Sequence, residues 1–286
     1  MMKTNKFLSR LLLMTGALVC TLGMATSCGG GDDDDLPEPT PEPTPAPTPE
    51  PTPEPKFENQ TFTAGGISFT MVAVDGGTFQ MGDDTGASDE KPQHAVTLSD
   101  FYIGETEVTQ ALWKAVMGEN PSHFVGDQLP VETVSWDDCQ AFITKLNAMT
   151  GQPFRLPTEA EREFAARGGK KTQGCKYSGS NDLDRVAWYK DNSGNKTHEV
   201  GTKTANELGI FDMTGNVYEW CQDWYEESGY SSEAQTNPTG PETGTMRVYR
   251  GGSFSSEAYY CRVSLRNRSI PSYQNYGVGL RLALSR

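Results

Sequence analysis

Three regimes of hydrophobic patterning divide the chain. Residues 11–24 form a nearly continuous apolar run broken only by small residues. Residues 36–56 carry proline at every second position and no apolar periodicity. From Phe57 to Arg286 apolar residues recur at alternating or helical spacing, as a folded domain requires. The pattern there predicts few helices. Val108, Leu112 and Val116 put one apolar face on a helix over 106–117, with Thr106 as its cap. Cys139, Phe142, Ile143 and Leu146 do the same over 135–149, capped by Ser135. A shorter helix over 158–167 starts at Thr158 with Glu161 at capping-box spacing, has acids in its first turn and Arg167 in its last, and stops at Gly168-Gly169. Short strands are expected at 69–74, 77–81, 94–98, 101–103 and 247–251, the last pairing with 279–284. The aromatics around Tyr218, Trp220 and Trp224 are expected in the core.

The first two regimes are not core material. Lys3, Lys6 and Arg10 precede the apolar run, and Ala25-Thr26-Ser27 follows it. A run this short with these flanks predicts a signal peptide over 1–27, not a membrane span. Cys28 directly after the small residues fits a lipobox, which would make it the lipid-bearing first residue of the mature chain. The acidic run Asp32 to Asp35 resembles the surface-export signal of Bacteroidetes lipoproteins, and reads equally as a solvated spacer. Ten of the 18 prolines lie in 36–56, where fixed φ and missing donors exclude helix and sheet. A polyproline II rod of that length reaches roughly 60 Å, enough to hold a domain off a membrane. The organisation expected is therefore a signal at 1–27, a lipidated linker at 28–56 and one domain at 57–286. The expected location is the outer membrane, with possible surface exposure, reached by general export.

Charge and cysteines narrow the function. The formal charge is −14, and the surplus of acids extends through the domain. Nucleic acid and anionic membrane faces are poor partners for it, so membrane contact is expected through the lipid anchor only. Cys139, Cys175, Cys221 and Cys261 remain in the domain and admit three full pairings, which the sequence leaves open. No CxxC and no Cys/His cluster at zinc spacing occurs, and His94, His123 and His198 lie far apart.

An ordered series of motifs carries a resemblance. GGTFQMG at 76–82 is followed by FYIGETEVTQ at 101–110, then by PVETVSWDDCQAFITKLN and RLPTEAEREFAARGG. GIFDMTGNVYEWCQDWY, RVYRGGSF and GVGLRLAL complete it. In this order the series resembles the formylglycine-generating-enzyme (sulfatase-modifying factor) family throughout 57–286. The resemblance implies an α+β fold of the C-type-lectin-like type, loop-rich with few helices and short strands.

It also implies sites. Asp212 and Glu219 flank a glycine turn, and hard calcium takes six to eight oxygens. Carried over, the family's structural calcium would be held by the side chains of Asp212 and Glu219 and the carbonyls of Gly215 and Val217. The alternative is an acidic turn whose carboxylates cap backbone amides. Val186 stands where a second calcium site of the family has its asparagine, so a second ion is not implied. The family's enzymes bind copper(I) through two cysteines after RGGS to oxidise a substrate cysteine. Here Ser256 stands at the first position and Cys261 at the second, or off it if 262–266 is aligned on the family's RVxxR run. A hydroxyl cannot replace a thiolate on copper(I). Copper is therefore not expected, no catalytic residue is assigned, and Cys261 is the only candidate. In the variable proteins of diversity-generating retroelements the segment after RGGS binds diverse ligands. Here it offers Tyr259, Tyr260, Tyr273 and Tyr276 among small polar residues, a paratope-like mixture suited to a protein or glycan ligand. The same residues could be plain solvent-facing loop. The expectation is a non-catalytic surface binding or accessory module; the alternative is a formylglycine-generating oxidase.

Overall fold

A computed structural model of the chain describes residues 57–286. The signal, Cys28 and the proline-rich linker lie outside the described residues. Strands β1 (Gln60–Ala64), β2 (Ile67–Val74), β3 (Gly77–Met81), β4 (His94–Leu98) and β5 (Phe101–Gly104) come first. Helices α1 (Gln110–Met117), α2 (Trp136–Thr150) and α3 (Glu159–Ala166) follow. Strands β6 (Tyr218–Trp224), β7 (Gln235–Thr236), β8 (Arg247–Arg250), β9 (Arg266–Ser269), β10 (Val278–Gly279) and β11 (Ala283–Ser285) complete the order. They form three small sheets, β1-β2-β5-β11, β10-β6-β8-β9 and β3-β4-β7.

The caps explain where the helices start. Ser135 and Thr158 each accept from the backbone N–H three residues on, and Asp138 and Glu161 return the bond. Gly118 and Gly151 end α1 and α2 in the left-handed conformation. The expected first helix is corrected: it starts at Gln110, capped by Thr109 and not Thr106. Val108 is extended because its N–H donates to Leu280 and its carbonyl accepts from Val131. The pairing of 247–251 is corrected as well. Strand β8 lies between β6 and β9, whereas 278–279 runs parallel to β6 and 283–285 pairs with β5.

The main core lies where α1 and α2 pack on the first sheet, with Leu112, Trp113, Phe142, Leu146, Leu156 and Trp220 buried together. A second core joins β3, β4 and α3 through Val96, Leu98, Ala160 and Phe164. Helix α3 is buried along its whole length despite three glutamates. Arginines from other elements neutralise them. Arg155 holds Glu161 with two bonds of 2.6 and 2.7 Å. Arg250 bridges Glu159 at 2.7 Å and Glu163 at 2.6 Å, and Arg266 holds Glu159 with two more. Buried charges are tolerated only when paired and hydrogen-bonded in this way. No helix among the described residues is long and apolar enough to cross a membrane.

Candidate functional site

The turn at 212–217 is built on left-handed residues: Asp212, Gly215 and Asn216 have φ of 55°, 84° and 57°. Gly215 has no substitute there, because a Cβ would run into the Trp188 carbonyl. The turn delivers Glu219 into strand β6, fully buried. There it meets two arginines. Arg162 donates to one carboxylate oxygen at 2.8 Å, and Arg281 donates twice to the other at 2.8 and 3.0 Å. Burial pushes the Glu219 acid up, but the two guanidinium groups outweigh it and hold it below the usual range.

Asp212 is in the opposite situation. Its Oδ2 accepts from the Gly201 N–H at 2.6 Å, while its buried Oδ1 has no hydrogen-bond partner among the described residues. Burial raises its acid to about 6. Glu107, which sequence reasoning missed, completes the cluster. It is buried, accepts from Asn216 Nδ2 at 3.3 Å and from the Val217 N–H at 3.4 Å, and is pushed up by burial and then by Asp212. Three carboxylates thus face two guanidinium groups. Among the described residues no three acidic, cysteine or histidine side chains converge closely enough to hold a metal alone. A cation here would need carbonyl oxygens as well as Asp212 Oδ1.

The RGGS segment follows β8. Gly252, at φ 80°, lies against Cys261, whose sulfur would be 2.7 Å from an added Cβ. The Ser253 N–H donates to Ser256 Oγ at 3.0 Å, and Ser256 Oγ donates to the Tyr218 hydroxyl at 3.1 Å. Cys261 is buried among Tyr177, Leu183, Val186 and Tyr189, and burial pushes its thiol up to about 12. The structure therefore brings Ser256 and Cys261 to one region, as a bonded hydroxyl and a protonated thiol. All four cysteines of the domain are free thiols, so none of the three possible pairings is formed.

Three of the four tyrosines after RGGS stand at the surface: Tyr259, Tyr260 and Tyr276 are 50, 45 and 49% exposed. Tyr273 is corrected to half-buried, because it packs against the main core. Tyr276 joins His123, Phe124 and the buried Phe254 in one aromatic cluster, with centroids 5.3 to 6.4 Å apart. Phe124 lies some 150 residues earlier in the chain, and nothing in its local sequence marks it. Val125 and Ile270 add exposed apolar area.

Fold and site together define a loop-rich α+β domain of the C-type-lectin-like type, with a buried acid–arginine centre and a surface segment after RGGS. Residues 60–286 match the sulfatase-modifying factor enzyme 1-like domain, and the chain belongs to that formylglycine-generating-enzyme family. The chaperone protein LppX of Paenibacillus barcinonensis is 37% identical over 270 residues, covering 77% of this chain and 91% of the relative. The formylglycine-generating enzyme of Thermomonospora curvata is 37% identical over 196 residues, 62% of each chain. Among solved structures, Treponema denticola variable protein 1 aligns with a TM-score of 0.74 at 37% identity, over 80% of this chain and 99% of that one.

Proposed function

We propose that the chain is a non-catalytic binding or accessory module of the cell envelope, held by a lipid on Cys28 and engaging a protein or glycan through the segment after RGGS. The observation that carries this reading is the pair of facts at that segment. Ser256 occupies the first copper-ligand position, and three tyrosines project from a backbone fixed by buried bonds. A protonated, buried Cys261 beside a hydroxyl is not a soft two-thiolate donor set. Tyrosine anchors give contact area at low entropic cost. One relative carries the name chaperone and a structural neighbour the name variable protein, which fits a module that acts by binding. The acidic linker would place the domain outside the outer membrane.

The test is capture from envelope extract followed by quantitative binding to the recovered partner. Tyr259→Ala with Tyr276→Ala should weaken binding by about 2 kcal/mol or more, with Tm nearly intact. A large loss of Tm with binding per folded molecule unchanged would make the segment scaffold only.

A structural calcium at the 212–219 turn belongs to the same proposal. The unpartnered Asp212 Oδ1 supports it, and the donors are hard oxygens as calcium prefers. Asp212 with the carbonyls of Gly215 and Val217 would supply the main ligands, and Glu219 would contribute while anchored by Arg162 and Arg281. The ion would neutralise the surplus carboxylate charge and fix the turn that carries β6.

A further inference from the structure

The largest cavity of the domain lies apart from both regions, at the N-terminal end of α3 and the far end of β6. It encloses about 660 Å³, within the range of small-molecule sites. Its apolar wall comes from Met81, Ala160, Trp224 and the prolines Pro238 and Pro241. Its polar groups are mostly acceptors. Asp223 is 4% exposed. One of its oxygens accepts from the Glu159 N–H at 2.9 Å, and the other has no partner among the described residues and opens on the cavity. His94 is 3% exposed. Its Nδ1 bonds the Pro92 carbonyl at 3.2 Å, which requires the proton on Nδ1 and leaves Nε2 as an acceptor on the cavity side. Glu226 supplies a carboxylate at the mouth.

The charges in the wall do not balance. Glu159 is already satisfied by Arg250 and Arg266, and Arg266 is the only guanidinium in the lining. Asp223 and Glu226 have no cation beside them. Burial, and after it the neighbouring Glu159 carboxylate, push the Asp223 acid to about 8, the state of a carboxyl whose counter-charge is missing. An apolar stem wall ending on unpaired acceptors selects a ligand with an alkyl chain and a donating, positive head.

We propose that this cavity binds an alkylammonium group, with the stem along Trp224 and the prolines and the ammonium between Asp223 and Glu226. A free diamine and the side chain of a peptide lysine share this chemistry. The inference is independent of the tyrosine segment and survives if that segment proves to be scaffold.

The experiment is calorimetric titration of the full chain in detergent with cadaverine and, separately, with Nα-acetyl-lysine-N-methylamide, using 1,5-pentanediol and glutarate as controls. The amines should bind once per chain and the controls should not. Binding of cadaverine alone assigns the site to free amines; binding of the blocked lysine assigns it to peptide side chains. Asp223→Asn keeps the acceptor for the Glu159 N–H and removes the charge, and should weaken binding about tenfold or more. Glu226→Gln lies at the exposed mouth, leaves folding unchanged, and should weaken it in the same direction. Absence of heat with either amine, equal binding of pentanediol, or unchanged affinity in Glu226→Gln and in folded Asp223→Asn would overturn the proposal.

Discussion

Replacing Glu219 by glutamine should destabilise the domain strongly, with or without calcium. The carboxylate accepts three charge-assisted bonds from Arg162 and Arg281, and all three side chains are essentially inaccessible to water. The guanidinium groups cannot leave with the charge. Arg162 is also tied to the Met213 carbonyl, and Arg281 to the carbonyls of Gly104 and Phe211. Removing one member of a buried pair costs about 3–5 kcal/mol, because the other charge stays buried and uncompensated. Two arginines share this carboxylate, which raises the cost. The relief of repulsion on Asp212 and Glu107 lowers it. The net expectation is a loss of about 4 kcal/mol, against a total stability of about 5–15 kcal/mol. Urea denaturation of the parent and Glu219→Gln, each in calcium and in chelator, measures it through the midpoint at constant slope. A loss below about 1 kcal/mol in chelator would refute the argument that the arginine clamp is what Glu219 holds together.

The other expectations are simpler. Chelation should lower Tm of the parent, and Asp212→Asn should remove the response; a ligand at 100 times its Kd adds about 2.7 kcal/mol to the folded state. An identical Tm with calcium and with chelator would eliminate the ion. Cys28→Ala should move the protein from the membrane fraction to the soluble fraction, and unchanged partitioning would sink the anchor.

Much of the fold was legible because its local signals are unambiguous. Ser135 and Thr158 announce their helices through the cap and the acid three residues on, and the β3–β4 hairpin alternates cleanly along 77–81 and 94–98. What escaped has a physical cause. Strand β6, YEWCQDW, is buried on both faces and shows no alternation. Strand β9, RNRS, carries no apolar residue, yet Arg266 lies inside because Glu159 pairs with it. Arg162, Arg250 and Arg281 read as surface residues in a sequence and are among the most buried side chains here. The candidate site shows the same division. Asp212 and Glu219 were visible on either side of one turn, but Glu107 was hidden in a stretch whose spacing mimics a helix. Ser256 and Cys261 were visible as neighbours in the chain. Phe124 joins Tyr276 only through tertiary packing, which no local pattern encodes.

The central claim is that this member of the family lacks the thiolate pair on which copper chemistry depends. Copper(I) titration of the reduced chain against a chromophoric chelator tests it most directly. The account predicts no stoichiometric tight site, and no difference between the parent and Cys261→Ser. One copper per chain, held against the chelator and lost in Cys261→Ser, would contradict it and restore the oxidase reading.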